Sequence, residues 1–84
     1  MPTVLRIGPY RFHFYSDERR EPPHIHVRSS EGECKFWLDP VQFARNRGLP
    51  PHCLRDIEKL VFANQQLLIE RFHEFQSRSG QDGN

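Results

Sequence analysis

The segment Glu21-Pro22-Pro23-His24-Ile25-His26-Val27 is where this chain first offers chemistry. Two prolines oppose helix at its start. His24 and His26, one residue apart, then fall on the same side of any strand that follows. Three chemistries use such a pair. With cationic and aromatic neighbours it joins a platform for RNA or DNA, arginine and lysine meeting phosphates while rings stack on bases. With a third ligand, His13 or Asp39, it holds zinc or another divalent metal and leaves a position for water. Without metal, one imidazole removes a proton and the other supplies one, and Arg28 or Arg11 stabilises the phosphorane of a ribonuclease-like hydrolysis. No Cys-x-x-Cys or His-Glu-x-x-His accompanies the pair, so no cofactor is expected. The plain alternative is packing, with His26 on Trp37 and His24 hydrogen-bonded to Asp39.

The elements that must position these residues follow from hydrophobic period. From Thr3 to Tyr15 apolar and polar residues alternate across Gly8-Pro9, which predicts a hairpin. Residues 16–23 are all polar or proline and read as a loop. His24–Arg28 and Glu33–Leu38 read as a second hairpin. With Glu31-Gly32 at its centre, Val27 lies opposite Phe36, Ile25 opposite Leu38, His26 opposite Trp37 and His24 opposite Asp39. A one-residue slip would put the histidines in the apolar row, so parity decides the face. Asp39-Pro40 has the chemistry of a helix start, and Gly48 that of a helix end, which predicts a short helix between them. A second helix begins at Pro51, with Pro50 in the capping place, and runs to about Gln76. It carries Leu54, Ile57, Val61, Leu68, Phe72 and Phe75 on one stripe. At ~1.5 Å per residue it overhangs the sheet. Phe62, Ile69 and His73 form a second stripe for a partner, most simply a second copy of this chain.

The resulting expectation is an α+β fold: a four-stranded antiparallel sheet of two hairpins, with a short helix and a long C-terminal helix packed on one face. The 84 residues make one domain over 1–76, with a disordered polar tail at 77–84. Two cysteines and no apolar leader or anchor point to a cytoplasmic protein with reduced thiols and no membrane association. Twelve basic and eleven acidic residues nearly cancel, so net charge names no partner. Their placement says more. If the helices cover Leu5, Phe12, Ile25, Val27, Phe36 and Leu38, the other face carries Arg6, Arg11, His13, Tyr15, His24, His26, Arg28, Lys35 and Trp37, with Glu33 and Asp39 as its acids. That solvent-facing, basic and aromatic surface is the expected working site.

These residues also carry a likeness. Tyr10-Arg11-Phe12, Pro22-Pro23-His24-Ile25-His26-Val27, Lys35-Phe36-Trp37-Leu38 and Ile57-Glu58-Lys59-Leu60-Val61 resemble the small bacterial and archaeal proteins grouped as domain of unknown function 4160. The resemblance runs over nearly the whole chain. Gly8-Pro9 departs from the family's more usual Asp-Gly turn, and Pro50 from its serine cap. The resemblance implies no established activity. It implies a small protein encoded alongside, in a toxin–antitoxin-like or regulatory pair, and through that a link to nucleic acid.

Overall fold

The structure, a computed structural model, describes residues 3–15 and 20–82, with side chains through residue 77. Five strands, β1 (Thr3–Ile7), β2 (Tyr10–His13), β3 (His24–Ser29), β4 (Gly32–Leu38) and β5 (Val41–Arg47), precede two helices, α1 (Pro51–Ala63) and α2 (Gln65–Asp82). The strands form one antiparallel sheet in the order β1-β2-β3-β4-β5, each paired with its neighbour in sequence.

The expected short helix is instead the fifth strand. Asp39 and Pro40, joined by a cis peptide bond, form the turn between β4 and β5. The segment after them favours extension for reasons visible in retrospect. Val41 and Phe43 are a β-branched and an aromatic residue flanking a polar one, and seven residues cannot build a helical stripe. Pairing with β4 also satisfies the polar backbone of that strand's second edge. Opposite Lys35-Phe36 stand Arg45 and Phe43, so Ala44 is an extra residue bulged out of β5. Beyond the bulge Arg45 and Arg47 share the side of Lys35 and Glu33. Asn46 ends the strand by accepting from the Leu49 N–H at 3.1 Å and donating to the Leu49 carbonyl at 2.9 Å. Gly48, at φ +91, turns the chain there. A Cβ on Gly32 would lie 2.8 Å from the Gly48 carbonyl carbon, so only glycine lets the end of β5 close against β4.

The register of the second hairpin differs from expectation by two residues. Ser30-Glu31 form its turn, and Ile25 pairs with Phe36, Val27 with Cys34, His26 with Lys35 and His24 with Trp37. A shift of two leaves every side chain on its expected face.

Helix formation breaks at Asn64, where one continuous helix was expected. The Asn64 side chain donates to the Leu60 carbonyl at 2.8 Å, competing with the backbone ladder. Gln65 then donates to the Leu38 carbonyl at 2.7 Å and ties the break to the end of β4. The helices lie over β3, β4 and β5. They bury Cys53, Ile57, Val61, Leu68 and Phe72 against Phe12, Phe14, Ile25, Val27, Phe36 and Leu38. Leu54 and Phe75 of the same expected stripe are partly buried beside them. The backbone of α2 continues past Gln76 to Asp82; side chains beyond Ser77 and residues 83–84 lie outside the described residues.

Candidate functional site

Cross-strand pairing arranges the second face of the sheet in rows. One row crosses all five strands: Arg6 beside Arg11, Arg11 beside Arg28, Arg28 beside Glu33 and Glu33 beside Arg47. The next holds His13, His26, Lys35 and Arg45, and a third His24, Trp37 and Gln42. All the expected site residues except Asp39 therefore meet on one face. Asp39 sits exposed in the β4–β5 turn.

The expected exposure of that face is corrected. Arg6, Arg11 and Arg28 are open to solvent, but His13, His24 and His26 are each 1% exposed and Lys35 7%. Alternation fixes the side of a sheet on which a residue lies, not what covers it. Here the cover comes from the segments either side of β2 and β3. Tyr15, just past β2, sets its ring edge-on to His13 (centroids 5.0 Å) and His26 (4.5 Å). Glu21 folds back to form an ion pair with Lys35, and Pro22 accepts a 2.9 Å hydrogen bond from His24 Nδ1. This replaces the expected bond from His24 to Asp39 and places the proton on Nδ1. Phe72 of α2 meets the His24 ring edge-on at 5.3 Å. The Lys35 ammonium lies 4.5 Å over Trp37. The result is a second, polar and aromatic core, rimmed by exposed arginines.

Glu33 is its electrostatic centre. Oε2 accepts the Tyr15 hydroxyl at 2.7 Å and lies 3.6 Å from His26 Nδ1 and 3.7 Å from His13 Nε2. Oε1 takes a long 3.4 Å contact from Arg28 Nε. Burial alone would raise the Glu33 pKa. The Tyr15 hydrogen bond and the positive potential of His13, His26 and Arg28 outweigh it and hold the carboxyl below its usual value. Burial, then Glu33, pushes Tyr15 up, so its hydroxyl stays a donor. Among the described residues neither buried ring nitrogen of His13 has a hydrogen-bond partner, while its ring stacks on that of His26 at 5.7 Å.

Residues 10–73 match the model of a family described as domain of unknown function (DUF4160). The chain belongs to the DUF4160 family. No curated protein and no solved structure matches it. The DUF4160 match runs from the start of β2 into α2, and so takes in the whole polar core and every arginine of the rim except Arg6.

Two rim residues of this DUF4160 chain, Arg45 and Arg47, escape a reading of the sequence because it assigns them to a helix. The Val41-Gln42-Phe43 alternation was the available signal, and the Ala44 bulge hides its continuation. Among the described residues Arg6, Arg11, Arg45 and Arg47 make no ion pair. No group of three or more His, Cys, Asp or Glu among the described residues could hold a metal ion. The three histidine rings stack or meet edge-on instead of converging on one point. Cys34 is a packed thiol whose pKa burial pushes up to about 12. The supposed partner stripe divides at Asn64: Phe62 is 58% exposed, Ile69 packs partly against the core, and His73 is exposed with its ring against Phe72. Among the described residues no helix is long and apolar enough to cross a membrane.

The buried imidazole predicts acid sensitivity. Burial, helped by His26 and Arg28 and opposed by Glu33, lowers the His13 pKa below the ordinary 6.5. An unfolded chain therefore binds this proton more readily than the folded one. The stability involved is fully present above the unfolded value and declines as pH falls through about 6.5 towards the folded value. The depressed Glu33 adds a loss of the same sign at lower pH, complete only once pH has fallen through its folded value. The expected result is a melting temperature that drops between pH 7.5 and 5.5, with a smaller drop in His13→Phe. A flat profile, or an equal drop in the variant, would refute this assignment.

Proposed function

We propose that this DUF4160 member is a nucleic-acid-binding module, and that the backbone of single-stranded RNA lies along the arginine row of its sheet. One observation carries the reading: Arg6, Arg11 and Arg28 stand directly side by side on three strands, with Glu33 the only acid in their row. Like charges directly opposed on neighbouring strands destabilise a sheet. A merely solvated face would interleave signs, whereas a polyanion makes the arrangement favourable. Strands spaced about 4.8 Å apart give the row a length of roughly 19 Å. That matches about six stacked nucleotides at ~3.4 Å each.

Five exposed arginines facing phosphates release counterions on binding. The slope of log affinity against log salt should be about −3 to −4 for single-stranded RNA, a loss on the order of a hundredfold between 50 and 200 mM. Fluorescence anisotropy with a labelled oligoribonucleotide measures it, and a flat salt dependence refutes the reading. Free thiols at Cys34 and Cys53 suit an intracellular protein, and exposed Phe62 leaves a place for the small protein partner of a regulatory, toxin–antitoxin-like pair.

Hydrolysis is the second reading, because His26 lines a cavity shared with Lys35 and Arg45. His24 is turned towards Trp37 and Phe72 instead. RNA cleavage lost in His26→Asn, with binding retained, would establish an enzyme.

A further inference from the structure

Beside the arginine row the polar face opens into a cavity of about 180 Å³. Its lining carries both signs. Arg45 and Arg47 come from β5 and Lys35 from β4, with Glu33 beside Arg47, and Tyr15, His26 and Cys34 complete it. A phosphate alone does not account for this lining, because Glu33 would repel it. The site calls for a ligand that is anionic at one end and presents N–H donors at the other. Nucleotides have that character, but their bases differ. Guanine offers two adjacent donors, N1–H and the N2 amino group, on its Watson–Crick edge. Adenine and cytosine each set one amino group beside a ring-nitrogen acceptor, and uracil flanks its single N–H with carbonyls. A carboxylate only accepts, through two oxygens with about four lone-pair sites. In Glu33 the Tyr15 hydroxyl occupies one site on Oε2 and fixes the carboxylate plane. Among the described residues Oε1 has the long contact with Arg28 and no closer one.

We propose that this cavity is a guanine subsite for single-stranded RNA, in which Glu33 accepts from N1–H and the N2 amino group while Arg45 and Arg47 hold the adjoining phosphates. The inference rests on the backbone-binding reading above and adds sequence selection to it. Phosphate contacts position a strand without reading it, and base-edge contacts supply specificity. At about 180 Å³ the cavity takes no more than one base, so selection is confined to a single position of the bound strand.

The test is anisotropy at constant salt with uracil-rich octamers carrying guanine, inosine, adenine, cytosine or uracil at one central position. Guanine is expected to bind about tenfold tighter than adenine, cytosine or uracil, since a good bidentate pair discriminates on that order. Inosine, which lacks the N2 amino group, should fall between. Glu33→Gln should reduce the guanine preference below about threefold. Tyr15→Phe, which keeps the carboxylate but removes the hydroxyl that holds it, should weaken the guanine preference and serves as the test if Glu33→Gln fails to fold; an undiminished preference would count against Glu33 as the reader. Equal binding of all five octamers with a steep salt slope would remove the subsite and leave the backbone reading standing. Failure of every octamer to bind would remove both.

Discussion

Arg6→Ala, Arg11→Ala and Arg28→Ala combined should weaken binding of single-stranded RNA on the order of a hundredfold at 0.1 M salt, and flatten the salt slope by about 2. Each phosphate contact to a single strand contributes ~0.7 to that slope, and at 0.1 M salt the same figure is the logarithm of the affinity contributed. The three side chains are exposed, and two of them make no ion pair among the described residues. Their loss should therefore leave the melting temperature unchanged or raise it, because adjacent like charges are removed. Lysine at all three positions should keep most of the slope, since a point charge releases counterions as a guanidinium does. A triple alanine variant that binds RNA as the parent does would refute the proposed function outright.

Phe72→Ala should be the most damaging single change to the fold. Phe72 is 4% exposed and meets Phe14 edge-on at 5.7 Å on one side and His24 at 5.3 Å on the other. It is the point at which α2 touches both the apolar core and the polar one. Truncating a buried phenylalanine costs about 3–5 kcal/mol. A domain of this size has about 5 kcal/mol in total, at the low end of the usual range. Urea denaturation should therefore show Phe72→Ala partly or wholly unfolded in water at 25 °C. A midpoint within a few tenths molar of the parent would show that α2 does not hold the sheet.

How far the sequence carries is best seen in three places. Face assignment on β2, β3 and β4 is legible because a period of two leaves no other choice: Ile25 and Val27 must go inward together, so His24, His26 and Arg28 must go outward together. That inference tolerated a wrong turn in the second hairpin, since the slip was by two residues. Burial of the outward residues is not legible. It depends on Tyr15 and Glu21, loop residues that return over the face, and no periodicity describes a loop. The fifth strand is the third case. Asp39-Pro40 and Gly48 carry helix-boundary chemistry at both ends, and the bulge at Ala44 breaks the alternation between them. With β5 misread, Arg45 and Arg47 were absent from the expected site, although they complete its rim.

The position of β5 at the margin of the sheet gives those two arginines a second consequence. Among the described residues its outer backbone groups have no strand partner, and they are a template on which another molecule could polymerise. A kink at Ala44 and two neighbouring cations are the features that discourage such stacking. Neutralising Arg45 and Arg47 would remove two of the charges that discourage edge-to-edge pairing at this border.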